Sequence, residues 1–416
     1  MVAVLAAVCL TILMVLLLLQ LAWGWRFVRQ FPPRNLPAVP DGEWPHVLVI
    51  LPVRGADPSL EGCLRGLLQQ NYPHYHIRII IDSCEDPAWN LVHEIVGRDC
   101  SSRVQVSHLQ TPLATCGLKS SALLQALGTL DETCQAVALI DADVIPHPTW
   151  LRDLVMPLTK PDVGATTGIR WFRPESTAWG ALVRYLWNVA ASVQMYALHI
   201  PWGGSLALRA DVFRRSNLLQ KWGVSLWEDT ASYRTIRDLG LQLEFVPAAT
   251  MINRESTDLK SCFRFIRRQM LNVRLYHGSW PAIVAQGLAT AAACGGALGL
   301  VLVGLATGNG TVAAFMSAGL ALQVAILAVA MRWIEAHIHR TTRGLGEEMP
   351  SFSLRLICAI PLAQVVYFAC LASASTLEKV SWRGITYEFK GPWTVRMRKY
   401  RPYSRRKAVD QRASVV

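Results

Sequence analysis

Hydrophobic positions along the chain fall into two kinds of pattern, and each predicts a different kind of element. The first is the long unbroken run. Met1 to Trp25 carries no charge, Pro281 to Met331 carries none and is interrupted only by the turn-like Thr307-Gly308-Asn309-Gly310, and Leu356 to Leu377 is a third charge-free stretch. Because about 20 apolar residues cross a bilayer core, these runs predict four membrane spans, near residues 3–24, 282–305, 311–332 and 355–376. The second is the short run of strand length, repeated between helical patterns. His46 to Pro52, Ile77 to Ile81, Arg103 to Val106 and Ala136 to Ile140 read as buried strands, with helical periodicity over Leu60–Gln70, Trp89–Val96 and Leu118–Leu130 between them. Strands that alternate with helices imply βαβ units, and their continuous apolar character implies a mainly parallel sheet covered on both faces.

Composition supports this division. Of 416 residues, 52% are apolar and 17% charged, which excludes a disordered or low-complexity chain. A cleaved leader should carry positive charge before its apolar run, but the first basic residue is Arg26, so the N-terminal run is expected to stay as an anchor. Arg26, Arg29 and Arg34 follow it, and the positive-inside rule then puts the polar middle of the chain in the cytosol. The expected plan is an anchor over residues 1–34, a cytosolic domain over 35–280 with an interfacial helix near 260–280, a membrane region over 281–377 and a basic tail over 378–416. The membrane is a bacterial inner membrane or an endomembrane.

The ten cysteines have no paired spacing, and His74-x-His76 and His337-x-His339 each lack a second cluster, so neither disulfides nor a zinc site is expected. The tail holds 11 basic and 3 acidic residues and supplies +8 of the net +12. It has no recognisable nucleic-acid module, so nucleic acid is excluded as a partner and anionic lipid is the expected one. Four full spans would leave this tail opposite the catalytic domain, unless a segment is re-entrant. Pro361 makes the last span the candidate.

In open parallel sheets ligands bind beyond the carboxyl ends of strands. The residues there are Pro52, Arg54 and Gly55, then Asp82, then Asp141 and Asp143. A strand that empties into Asp-Ala-Asp brings two carboxylates to one loop, where they suit a hard divalent cation, Mg2+ or Mn2+, that also holds a diphosphate. A solvated Asx-turn is the competing reading. Lys119 opens a helix after Gly117-Leu118, a place that suits an anionic group. Glu228-Asp229 opens another helix, either as an ordinary acidic first turn or as a catalytic pair. The uncharged segment between Arg184 and Arg209 reads equally as packed core or as a surface dipping into the membrane edge.

The ordered set Pro52-Val-Arg-Gly55, Asp82, Gly117-Leu-Lys119, Asp141-Ala-Asp143, Gly203-Gly204, Glu228-Asp229 and an arginine-rich helix before a membrane span resembles the inverting family 2-type glycosyltransferases with a GT-A fold. More closely it is similar to the membrane-bound ceramide glucosyltransferase-like group. The resemblance implies an α/β GT-A-like sheet flanked by helices, a UDP-sugar donor, and transfer of a hexose, with glucose expected, to a hydroxyl of a membrane lipid. It implies that Asp82 meets the uracil and ribose, that Asp141 and Asp143 meet metal and diphosphate, and that Asp229 is the general base beside Glu228. Trp171 is the corresponding candidate for stacking on a sugar. The group's Gln/Arg-x-x-Arg-Trp motif appears as Arg264-Phe-Ile-Arg267 followed by Arg268 instead of Trp. Arg264 and Arg267 share a helix face and are expected at the diphosphate. Arg268, about 100° further round, is expected to face lipid headgroups. A processive polysaccharide synthase and a non-catalytic membrane scaffold remain the alternatives.

Overall fold

The computed structural model describes residues 2–31, 44–97, 102–342 and 353–404. Arg34 and residues 405–416 of the basic tail lie outside them. The chain enters through helix α1 (Val2–Val28) and then builds β1 (Val47–Val53), α2 (Leu60–Leu68), β2 (Tyr75–Ile81), α3 (Pro87–Val96), β3 (Val104–His108), α4 (Leu118–Leu127) and β4 (Ala136–Ile140). The second half of the domain holds α5 (Trp150–Val155), β5 (Val163–Thr167), β6 (Arg170–Phe172), α6 (Trp179–Leu198), β7 (Ser205–Arg209), α7 (Ala210–Arg215), α8 (Leu218–Trp222), α9 (Glu228–Asp238), β8 (Gln242–Phe245), β9 (Met251–Asn253) and α10 (Leu259–Tyr276). After it come α11 (Trp280–Ala306), α12 (Gly310–Thr342), α13 (Leu354–Thr376) and three short strands, β10 (Lys379–Trp382), β11 (Ile385–Gly391) and β12 (Thr394–Arg398).

The main sheet has seven strands in the order β3-β2-β1-β4-β7-β5-β8. All pairings are parallel except those of β7, which runs against both β4 and β5. This is the mainly parallel α/β sheet expected. The apolar runs become strands because β1 and β4 are covered on both faces, with one core cluster on each side of the sheet. Helix starts follow local chemistry. Asp86 caps α3 by accepting from Ala88 N, with Pro87 at the first helical position, and Asp258 caps α10 by accepting from Ser261 N at 2.7 Å.

Four helices, α1, α11, α12 and α13, are long and apolar enough to cross a membrane. They are not equivalent. α1, α11 and α12 pack on one another, whereas α13 packs mainly on α10 and α6 of the α/β domain. The uncharged 185–208 segment proves to be helix α6 and most of β7, and α6 packs against α13, α10 and α1.

Part of the basic tail carries a fold of its own that its charge did not announce. Residues Lys379–Arg398 form an antiparallel three-stranded sheet. Its first hairpin turns through Arg383 and Gly384, both at positive φ, between the paired Trp382 and Ile385, as a two-residue turn of the primed type requires. Its inward residues Val380, Ile385, Tyr387 and Phe389 join the core cluster of Leu118, Leu123 and Leu226. Tyr387 Oη accepts from Leu118 N at 3.2 Å, and Met397 N donates to Ala114 O at 2.7 Å. The charge count missed this because the basic residues alternate with apolar ones, which is the pattern of a half-buried sheet.

Phe389 is 3% exposed, so Phe389→Ala should lower the unfolding free energy of the α/β domain by about 3–5 kcal/mol. Denaturant unfolding followed through the sheet's own signal measures it. A loss below about 1 kcal/mol would mean that the tail sheet is not part of the domain core.

Candidate active site

One cavity of about 230 Å³ opens at the carboxyl ends of β1, β2 and β4 and is closed by α10 and the tail sheet. Its charged centre is Lys119. At the N-terminal turn of α4, Lys119 Nζ lies 2.7 Å from Asp141 Oδ1 and 2.7 Å from Glu228 Oε1, and donates to Gly203 O at 3.3 Å. Burial opposes the ammonium's charge, but Asp141, Glu228 and Asp229 outweigh that and raise its pKa. Burial likewise raises the Asp141 carboxyl, yet Lys119 and Arg170 prevail and hold it below the usual carboxylate range. For Glu228 burial wins, with Lys119 opposing, and its pKa is raised.

Arg170, from β6, forks across the two aspartates of the β4 loop, 2.9 Å from Asp141 Oδ2 and 3.1 Å from Asp143. Its guanidinium lies 5.0 Å from the Trp202 ring centre. Gly203 and Gly204 let the chain pass this close. A Cβ on Gly203 would lie 2.4 Å from Glu228 Oε1, and one on Gly204 would lie 2.6 Å from Asp141 Oδ2 and 2.2 Å from the Trp202 ring. Asp229 is held by Gly203 N at 3.0 Å and Asn272 Nδ2 at 3.1 Å. Glu228 Oε2 and Asn272 Oδ1 are buried without a hydrogen-bond partner.

The donor set suits a hard divalent cation. Asp141 and Asp143 bring carboxylates from one loop to the cavity wall, where Arg170 and Lys119 now pair with them; a divalent cation would take the place of the Arg170 fork, bound by one or two carboxylates with phosphate oxygens and water completing its shell. No group of three or more His, Cys, Asp or Glu is gathered as a metal cluster among the described residues, so the remaining ligands would come from substrate.

Residues 2–392, nearly the whole chain, match the profile described as Glycosyl transferase family 21. The chain belongs to that family. Among curated proteins it is 39% identical over 72 residues to a ceramide glucosyltransferase of Pyricularia oryzae, a stretch covering 17% of this chain and 15% of that protein. It is 30% identical over 93 residues to a ceramide glucosyltransferase of Komagataella phaffii, covering 22% and 18%. The matched stretches thus span less than a fifth of those relatives. Among solved structures it is similar to a mannosyltransferase from Pyrobaculum calidifontis in complex with GDP-Man and Mn2+, with a TM-score of 0.54 and 16% identity over 84% of this chain and all of that one. The fold is the GT-A-like arrangement expected.

In this family 21 chain the cavity brings together Pro52, Arg54, Asp82, Lys119, Asp141, Asp143, Glu228 and Asp229. Gly55 sits just behind the wall. Its φ of +79° suits glycine, its N–H donates to Asp86 Oδ2 at 2.8 Å, and the Tyr403 ring covers it. Asp82 is saturated by protein groups: it pairs with Arg54, accepts from Tyr400 Oη at 2.8 Å and accepts from Tyr403 N at 2.7 Å.

Three expected placements differ. Trp171 is 4% exposed and packs edge-on against Tyr185 in the core; Trp202, Trp227 and Trp382 line the cavity instead. Arg264 and Arg267 do not line it. Arg264 donates to Ser261 Oγ at 3.0 Å, and Arg267 lies over Phe263. Arg268 does line it, held between Phe265 and Trp382 at 5.5 and 5.4 Å, with its pKa lowered to about 10 by burial and then by Arg383 and Arg170. The arginine helix is thus rotated relative to the expected division of faces. Its cavity face carries Phe265, Arg268, Gln269 and Asn272, at the 3- and 4-residue spacings of a single face. Arg170, Trp202, Arg383 and Asn272 were not singled out. Arg170 and Trp202 each stand one residue from a residue that was, Trp171 and Gly203.

Lys119→Met should leave Asp141 and Glu228 without their shared buried cation and cost about 3–5 kcal/mol of stability. Adding Glu228→Gln should return part of it. Thermal unfolding of the single and double variants tests the bridge, and a stable Lys119→Met protein would deny it.

Proposed function

We propose that the protein transfers a hexose, glucose in our reading, from a UDP-sugar to a hydroxyl of a membrane lipid with inversion at the anomeric carbon. The observation that carries this is one cavity holding a diphosphate-type cation set, two strand-end aspartates and a separately fixed carboxylate, walled by helices that pack on the membrane-length ones. Lys119, Arg170 and Arg268 are placed to offset diphosphate charge. Asp141 and Asp143 would hold the divalent cation, which supplies charge stabilisation of the leaving diphosphate when bound.

Asp229 accepts the proton of the acceptor hydroxyl. Its three hydrogen bonds, from Gly203 N, Asn272 Nδ2 and Thr230 N, orient the carboxylate for that step. Glu228 shares Lys119 with Asp141 and so ties the base-bearing helix to the donor side. Asp82 serves the nucleoside only after Arg54, Tyr400 and Tyr403 release it, which makes residues 399–404 a strap that moves when donor binds.

The same strap supports a topology. The tail sheet is built into the α/β domain, so both lie on one side of the bilayer and the chain between them crosses an even number of times. We assign these two crossings to α11 and α12, which pack with the N-terminal span α1, and lay α13 along the membrane face against α10 and α6. Arg274 of α10 donates to the carbonyls of Ala374 and Leu377 at the end of α13, a favourable place for a cation. Arg26 in the last turn of α1 and Arg29 just after it favour the cytosolic side for the catalytic domain.

Membranes containing the protein, incubated with a panel of UDP-sugars, should yield a new hexosylated lipid by mass spectrometry; a water-soluble polymer as the product would favour a polysaccharide synthase. Two variants separate the roles. Asp229→Asn should cut turnover by about 10² or more and keep UDP affinity. Asp143→Asn should weaken UDP binding in the presence of Mg2+ or Mn2+ and leave metal-free binding unchanged. Near-normal turnover in the first, or unchanged metal-dependent affinity in the second, would remove that residue from its role.

A further inference from the structure

The turn of the β10–β11 hairpin carries an arginine, Arg383, into the wall of the charged cavity. The turn has two residues, Arg383 at φ +48° and Gly384 at φ +76°. A primed turn needs positive φ at both positions, and Asn-Gly is its favoured sequence. An arginine in the first position goes against that local preference, and side chains held this way gather at functional sites. The turn gains nothing from arginine, so the residue is to be understood by what its side chain reaches.

The tip of the hairpin is fixed. Tyr387 and Phe389 anchor the sheet in the core, and two hydrogen bonds run in opposite directions at the turn: Arg383 Nη1 donates to Arg54 O at 3.2 Å, and Arg54 Nε donates to Arg383 O at 3.1 Å. Arg54 is also the partner of Asp82, which puts Arg383 next to that end of the cavity. Its charge is felt at the other end as well. Burial raises the Asp141 carboxyl, Lys119 and Arg170 lower it, and Arg383 adds to them; burial first and Arg383 next lower the Arg268 guanidinium. These arginines are short of anionic partners. Among the described residues Arg268 makes no ion pair and is framed by Phe265 and Trp382, while Asp57 lies 3.7 Å from Arg383, beyond hydrogen-bond distance. Asp141 and Asp143 are already taken by Lys119 and Arg170. Arg383 is half-buried and gives Arg54 O one of its five N–H groups, which leaves others for a ligand.

Resting on the donor proposed above, we propose that Arg383 binds the diphosphate of the nucleotide sugar, so that the tail hairpin supplies one side of the donor site. A diphosphate has to join a nucleoside at Asp82 to a cation at Asp141 and Asp143, and Arg383 is a guanidinium whose contacts and charge reach both. Its fork offers parallel N–H groups to phosphate oxygens. An anion on this wall also relieves the repulsion between Arg383 and Arg268.

Arg383→Asn separates this role from simple pinning of the hairpin, because it gives the turn its favoured Asn-Gly sequence while removing the charge. The full-length wild type and variant in nanodiscs would be titrated with UDP and with uridine in Mg2+, and their thermal unfolding compared. UDP affinity should fall about tenfold or more, the scale of a lost charge-assisted hydrogen bond, and uridine affinity should change by less than about twofold. The unfolding midpoint should hold or rise. Arg383→Lys, which keeps the charge without the fork, should fall between wild type and Arg383→Asn in UDP affinity. Unchanged UDP affinity in Arg383→Asn overturns the assignment and leaves the transferase reading standing. Equal losses for UDP and uridine with a lower unfolding midpoint mark Arg383 as a pin and overturn it too. If the midpoint falls while uridine affinity holds, the loss of UDP affinity still decides in its favour. A wild type that binds no UDP and no GDP ends the donor reading and the role of Arg383 together. A wild type that prefers GDP ends the uridine donor alone, and GDP against guanosine then decides Arg383.

Discussion

The charged cavity depends on one buried ammonium. Lys119 touches the end of β4 through Asp141, the start of α9 through Glu228, and the loop before β7 through Gly203 O. Taking this charge from water costs several kcal/mol, and only a shell of carboxylates and carbonyls repays it. The shell in turn demands that the chain approach without side chains, which is why two glycines stand at Gly203 and Gly204. The same fixed positive charge, beside two carboxylates, is what the proposed diphosphate donor would call for. Arg170 repeats the arrangement from the other side of the Asp141–Asp143 loop.

Around this centre the chain closes on itself. The tail sheet returns from the last apolar helix to cover α4 and to place Trp382 and Arg383 in the cavity wall. Helix α10 links the same cavity to the membrane-length helices, with Asn272 on Asp229 at one face and Arg274 on the end of α13 at another. The charged cavity, Asp229 and the apolar helices therefore share the walls formed by α10 and α6.

Much of this was legible in sequence for a simple reason: strands buried on both faces must be continuous apolar runs, and β1, β2 and β4 are. Their ends located Arg54, Asp82, Asp141 and Asp143 directly. Orientation was harder. Arg264, Arg267 and Arg268 are all basic, and only the packing of Phe265 and Ile266 decides which of them faces inward. Trp171 sits beside Arg170, and alternation along β6 puts one side chain in the core and its neighbour in the cavity. The tail was read by its charge, while the signal that mattered was the alternation of Val380, Trp382, Ile385, Tyr387 and Phe389. Long-range partners such as Tyr400 on Asp82, 318 residues apart, leave no local trace.

The central claim is that Asp229 and the donor-binding set act on opposite sides of one anomeric carbon, so that a lipid hydroxyl displaces UDP directly. The configuration of the product tests this most closely. Purified protein given UDP-α-glucose and its lipid acceptor should yield a β-glucoside, read from the anomeric coupling constant in the proton NMR spectrum of the extracted lipid. An α-linked product would contradict the account, because it requires retention and a different arrangement of groups around the sugar.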